Sequence, residues 1–160
     1  MNLEYGKSFF GKDLKIWAKS YLEKLPEDVT HLLTMGSSGC AIASGMIALS
    51  PDRELYQIYV KKEGERSHCS HTTYPCSTSI GGDIVGAVAI VDDFISTGET
   101  VNELLDFARR NGIIVSYIVV HSYLVDDVFD KTNFSKIIIV EGESDELQKH
   151  SNRGSSSAVS

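Results

Sequence analysis

Asp92 and Asp93 follow the apolar run at 87–91, and Ile95-Ser96-Thr97-Gly98-Glu99-Thr100 comes directly after them. Two adjacent carboxylates can accept hydrogen bonds from two vicinal hydroxyls, the diol of a ribose. The turn behind them offers backbone N–H groups and the hydroxyls of Ser96, Thr97 and Thr100. A turn of that kind at a helix N-terminus is a nest for a phosphate. Gly98 lets the backbone come close to such a group with no Cβ in the way. Together these residues read as a site for a phosphorylated sugar. An acidic helix cap would account for one acid and one hydroxyl, not for the whole set.

Two further segments could serve the same ligand. Met35-Gly36-Ser37-Ser38-Gly39 is a small-residue turn that leads straight into a helix, so its amides can face an anion. Taken alone it is an ordinary strand-to-helix turn. It is not a Walker loop, because no Gly-Lys-Ser/Thr follows. Lys61 and Lys62 close the next strand, and strand alternation turns one toward the cleft and the other away.

The run through residues 87–100 closely resembles the phosphoribosyl-diphosphate (PRPP) signature of the type I phosphoribosyltransferases. In that family an apolar strand, two acids and a Thr-Gly-x-Thr turn hold a ribose 5-phosphate. The resemblance implies a Mg²⁺-dependent pentosyl transfer in which a nitrogen of a base displaces pyrophosphate from PRPP. Asp92 and Asp93 would hold the sugar hydroxyls, and Ile95, Ser96, Thr97, Gly98, Glu99 and Thr100 the 5-phosphate. Ser37, Ser38 and Gly39, with Lys61 or Lys62, would hold the diphosphate. Mg²⁺ would be carried by PRPP and pyrophosphate, with no protein ligand assigned.

Among the family's branches the likeness is nearest to orotate phosphoribosyltransferases. Val60-Lys61-Lys62-Glu63 resembles the opening of their mobile loop, which makes Lys62 and His68 catalytic candidates beside the two acids. The later part of the loop departs from that pattern, showing Arg66, His68 and His71 where a Lys and a His-Gly pair are usual. The hypoxanthine–guanine branch often places an acid three positions after the second carboxylate. Here that position is Ser96, which points to an orotate-like or other non-6-oxopurine acceptor. A non-catalytic PRPP- or nucleotide-sensing regulator of the same fold is the alternative. The chain is too short for the two similar halves of an enzyme that makes PRPP. A generic mononucleotide-binding domain would bind AMP with no need of Asp92.

Other reactive side chains point to less. His68, Cys69, His71 and Cys76 are zinc-ligand types, but their spacing fits no common knuckle or finger, and a zinc clamp would freeze a loop that has to open. His31 and His121 lie at strand ends and read as structural. Asp126, Asp127 and Asp130 read as a solvated face or a helix cap.

The 160 residues suit one domain with a real core. A net charge of −7 and the lack of a basic stripe argue against a nucleic-acid binder. No apolar run is long enough for a membrane span, and the first residues lack a signal-peptide pattern, so a cytoplasmic protein is expected. Three cysteines suggest no disulfide framework. A homodimer is the expected assembly.

Positioning these residues falls to an alternation of strands and helices. Leu14, Trp17, Tyr21 and Leu25 at helical spacing predict a helix over 12–25, stopped by Pro26. Strands are expected at 31–34, 55–60, 86–91, 113–120 and 136–140. Helices are expected at 40–49 and after the signature, ending at Asn111-Gly112. Such alternation predicts a single α/β domain with a mainly parallel central sheet flanked by helices, over 1–141. A small hood is expected from about 1–30 and 121–135, a mobile loop at 62–83, and a disordered tail at 142–160. Ligands of such sheets sit at the carboxyl ends of the strands, where the turns at 35–39, 61–83 and 93–100 would converge.

Overall fold

The computed structural model describes residues 11–62, 84–123 and 136–140. The segment at 63–83, with Arg66, His68, Cys69, His71 and Cys76, lies outside the described residues. So do residues 1–10 and 124–135 of the expected hood, Asp126, Asp127 and Asp130 among them, residue 141 and the expected tail at 142–160.

Five strands and three helices alternate. Helix α1 (Gly11–Lys24) precedes β1 (Val29–Met35), α2 (Gly36–Leu49) and β2 (Tyr56–Val60). Then come β3 (Ala87–Ile95), α3 (Glu99–Arg110), β4 (Val115–Tyr123) and β5 (Lys136–Ile139). The strands form one sheet in the order β2-β1-β3-β4-β5, and every pairing is parallel. The expected mainly parallel sheet is thus wholly parallel among the described residues.

Why the strands pair this way is visible in their composition. The central parts of β1, β3 and β4 are buried on both faces and are mostly apolar, as suits strands covered on both sides. Leu33, Val88, Ile90, Ile118 and Val120 face α3 and pack on Val101, Leu104 and Ala108. Leu32, Ala89, Val91 and Val119 face the other way, onto Ala18 and Tyr21 of α1 and Ile42 and Met46 of α2. Small residues let α1 and α2 lie close, since a Cβ at Gly45 would come within 3.0 Å of Ala18 Cβ.

Several boundaries differ from the sequence reading, and one difference matters for function. β3 does not stop at Val91 but continues through both acids to Ile95. Asp92 pairs in register with Val120 and Phe94 with Ser122, so β4 carries the strand on past the apolar run. On its other side β3 is paired with β1 only as far as Ile90. The turn at 35–39 is likewise shorter than expected. α2 begins at Gly36, directly after β1, so Ser37, Ser38 and Gly39 form the first helical turn rather than a loop. The small side chains allow it, because nothing there resists helical packing against the sheet.

Opposite the carboxyl ends of the strands, Arg53 ties the α1–β1 connection to the loop before β2. Its guanidinium donates to the carbonyls of Pro26 and Val29, the latter at 3.1 Å. The other end of the sheet is thereby left to the turns after β1, β2 and β3.

Candidate functional site

In a sheet of order 2-1-3-4-5 the chain leaves β1 in one direction and returns on the other side at β3. The helices after these two strands lie on opposite faces, and a crevice opens between their N-termini. α2 follows β1 on one face, α3 follows β3 on the other, and Asp92 and Asp93 stand at the tip of β3 between them.

Both acids are buried, with under a tenth of their surface exposed. Each is tied to the backbone ahead of it. The Asp93 N–H donates to Asp92 Oδ1 at 2.9 Å, and the Phe94 N–H donates to Asp93 Oδ1 at 2.9 Å. Burial raises the Asp92 pKa, to about 7, and the charge of Asp93 adds to the rise. Lys62 opposes it. Among the described residues, two carboxylates taken out of water with Lys62 nearby form a site short of positive charge and hydrogen-bond donors. A sugar diol supplies such donors.

Behind the acids, Ser96, Thr97 and Gly98 form the whole connection to α3. Gly98 is the N-cap, with φ 76° and ψ 2°. That left-handed conformation costs a residue with a Cβ about 1–2 kcal/mol. The N-cap residue itself has no side chain to cap this helix end. The helical ladder begins with the Asn102 N–H donating to Gly98 O at 2.8 Å, so the amides of Glu99, Thr100 and Val101 have no partner within the helix. The Thr97 hydroxyl accepts from the Glu99 N–H over 3.4 Å. Residues 94–101 and Asp92 line an open cup of about 220 Å³, solvent-facing space included. Ser96, Thr97 and Glu99 are exposed at its rim. Asp93 is not among the lining residues, in keeping with a side chain on the opposite face of the strand.

The other two segments reach the same place. Gly39 presses on β3, where a Cβ would lie 2.5 Å from Val91 O and 3.5 Å from Asp92 Oδ1. α2 thus meets the acid pair by its first turn, which also lacks a side-chain cap. Lys62 extends back over this turn, its Cε 3.3 Å and Nζ 3.6 Å from where a Cβ of Gly36 would be. Of the two lysines expected to divide between cleft and solvent, Lys62 is therefore the one directed at the cleft. Thus Ser37, Ser38, Gly39, Lys62, Asp92, Asp93 and the turn from Ile95 to Thr100 come together, Lys61 lies beside Lys62 just past the end of β2, and His68 lies outside the described residues.

Sequence reasoning missed Tyr21. It reads there as a core position of an amphipathic helix, and it is indeed fully buried. Its hydroxyl, however, donates to Asp92 O at 2.6 Å and lies 3.4 Å from Asp93 O. Burial, reinforced by the charges of Asp93 and Asp92, pushes its pKa far above the ordinary phenol value, so it stays a donor. Only its residue type, a Tyr where Leu or Phe would pack as well, hinted at a polar partner. His121 proves to be within β4, not at its end, and stacks on Trp17 with centroids 4.3 Å apart and planes 9° apart. His31 is buried in β1, its Nδ1 2.8 Å from the Thr30 hydroxyl, and burial lowers its pKa.

Known structures share this arrangement of strands. The orotate phosphoribosyltransferase of Aeropyrum pernix superposes with a TM-score of 0.60 at 20% identity, over 88% of this chain and 77% of that one. Type I phosphoribosyltransferases have this fold. An adenine phosphoribosyltransferase of Thermoanaerobacter pseudethanolicus gives a TM-score of 0.59 at 18% identity, over 81% of this chain and 80% of that one. A hypothetical protein of Neisseria gonorrhoeae with bound ppGpp gives 0.52 at 12% identity, over 89% of this chain and 93% of that one. No protein-family model and no curated protein sequence matches the chain. The phosphoribosyltransferase fold suggested by residues 87–100 is therefore what the molecule adopts, at a sequence distance where the fold alone is shared.

Proposed function

We propose that this protein is a phosphoribosyltransferase that transfers ribose 5-phosphate from PRPP to a nitrogen of an orotate-like or other non-6-oxopurine base, releasing pyrophosphate. The observation that carries the reading is the buried pair Asp92–Asp93 set directly against the uncapped start of α3. The 5-phosphate takes the amides and hydroxyls of Ser96–Thr100. The 2- and 3-hydroxyls donate to the two carboxylates. The diphosphate lies toward the first turn of α2 and the Lys62 ammonium.

The reaction breaks the bond from C1 to the pyrophosphate oxygen and forms one from C1 to the base nitrogen. Positive charge grows on the ribose ring as the first bond lengthens. Asp92 and Asp93 stabilise that charge from a site with little water, and Lys62 stabilises the charge gathering on the leaving oxygen. The donor set of the cleft, two carboxylates and several hydroxyls, suits Mg²⁺ brought in on the phosphates rather than caged by protein. When bound there, Mg²⁺ would neutralise part of the diphosphate charge.

The test is release of pyrophosphate from PRPP and Mg²⁺ across a panel of bases, with mass spectrometry for the nucleotide formed. One base should be turned over, and Lys62→Ala should lower kcat by about 100-fold or more, as loss of a leaving-group cation does. Tight PRPP binding with no turnover of any base would reject the enzyme.

That outcome would favour a second reading, a nucleotide-sensing regulator. The Neisseria gonorrhoeae protein with bound ppGpp, matched over nearly its whole length, supports it as a use of this fold. In a sensor Lys62→Ala would change affinity for the ligand while there is no turnover to lose.

A further inference from the structure

A strand does not by itself offer two consecutive carboxylates to one ligand. Side chains at i and i+1 leave opposite faces, and their carbonyls point to opposite edges. Asp92 and Asp93 stand where this matters most. β1 has stopped pairing with β3 at Ile90, so one edge of β3 has lost its ladder partner while β4 still holds the other. The backbone at the acid pair is thus anchored from one side only by the sheet.

Tyr21 closes the gap. It is rooted in α1, with no exposed surface, and its hydroxyl reaches Asp92 O at 2.6 Å and Asp93 O at 3.4 Å. One buried phenol therefore links α1 to β3 at the two peptide groups that carry the carboxylates. The ring cannot drift, because Trp17 one turn away lies stacked beside it, with centroids 6.4 Å apart, and is itself stacked on His121.

We propose that Tyr21 is a positioning residue for the candidate site: its hydroxyl fixes the Asp92 and Asp93 peptide groups, and so holds the acid pair at the tip of β3 in one arrangement before a ligand arrives. The inference rests on the phosphoribosyl reading above for the identity of the ligand. Its physical content is preorganisation, in which ordering of the acid pair is met on folding and not on binding. Tyr21 itself touches no substrate in this scheme.

Tyr21→Phe keeps the ring and removes the hydroxyl. Calorimetric titration with PRPP and Mg²⁺ at 15 °C, on protein shown to be folded by circular dichroism, should give an affinity at least tenfold weaker than wild type. Leu25→Ala serves as the comparison, since it removes a buried apolar side chain just past the end of α1 that carries no polar group. It should lower the melting temperature while leaving affinity within twofold. Equal affinities for Tyr21→Phe and wild type, or equal losses in Tyr21→Phe and Leu25→Ala, would overturn the proposal. No heat from wild type would instead overturn the phosphoribosyl reading, which keeps the two failures apart. Should Tyr21→Phe not fold, the carbonyl carbon NMR shifts of Asp92 and Asp93 in the wild type decide. They should already have hydrogen-bonded values without ligand, and shifts that reach those values only on binding would count against Tyr21.

Discussion

Asp92 shows how one residue carries opposing demands. Its carboxyl is buried beside a second acid, and its pKa is raised from 3.8 to about 7. A carboxyl with a higher pKa folded than unfolded binds its proton more tightly in the folded state. Stability on its account is full below about pH 4 and is lost as the pH rises through about 7. Asp92→Asn keeps an oxygen for the Asp93 N–H and removes the charge. Urea unfolding of the ligand-free variant should therefore show a gain on the order of 1–3 kcal/mol at pH 8 that shrinks toward pH 4. A gain of the same size at both values would mean that charge burial is not the cause. The same substitution should weaken PRPP binding, so the acid is kept at a cost to the fold. Gly98 poses a similar trade in backbone terms. Gly98→Ala should destabilise by about 1–2 kcal/mol, because φ is 76° there, and should weaken phosphate binding as the turn shifts. Equilibrium unfolding together with titration of ribose 5-phosphate checks both halves of that expectation.

At the scale of elements, the site exists because two helices begin at the switch between β1 and β3. α2 gets close enough only through Gly39, whose missing side chain leaves room for Val91 O. Gly39→Ala would place a methyl 2.5 Å from that oxygen, and backbone cannot step aside as a flexible side chain can. The first turn of α2 must then lift from β3. A loss of about 1–3 kcal/mol is expected, with weaker binding of inorganic pyrophosphate than of ribose 5-phosphate. Gly45→Ala, which would meet side chains only, Ala18 Cβ at 3.0 Å and Leu14 Cγ at 3.8 Å, should cost less. If Gly39→Ala binds pyrophosphate as wild type does, the first turn of α2 is not part of the diphosphate site. Elements are also where the sequence was read least well. Periodicity marked α1 and α3, and apolar runs marked the strands. Yet the polar residues of β3 hid its true end, since a strand held by a neighbour on one edge needs no apolar character. The first turn of α2 was hidden likewise, because Gly-Ser-Ser-Gly carries no helical pattern of its own.

For the whole molecule, the legible part was the part with a local code. Residues 87–100 hold a strand, an acid pair and a glycine- and hydroxyl-bearing turn in one stretch, so their placement followed from spacing. Alternation of strands and helices then gave a parallel sheet, and the sheet rule brought 35–39, Lys62 and 93–100 to one end. Tyr21 was illegible for the converse reason. Its partners lie 71 and 72 positions away in sequence, and nothing near residue 21 announces them. The choice between Lys61 and Lys62 was similarly a matter of strand phase, fixed only by where β2 ends. No helix among the described residues is long and apolar enough to cross a membrane. Under the proposed function, acceptor choice would belong to this scale too, because the base would be selected by chain beyond the acid pair and the cup at 94–101.

The measurement that bears most directly on the central claim is calorimetric titration of PRPP and Mg²⁺ into wild type and into the double variant Asp92→Asn/Asp93→Asn. Loss of both carboxylates should weaken binding by at least 100-fold, the effect of two charge-assisted hydrogen bonds at about 1.5–3 kcal/mol each. An unchanged affinity in a folded double variant would contradict the assignment of this strand tip as the sugar-binding site.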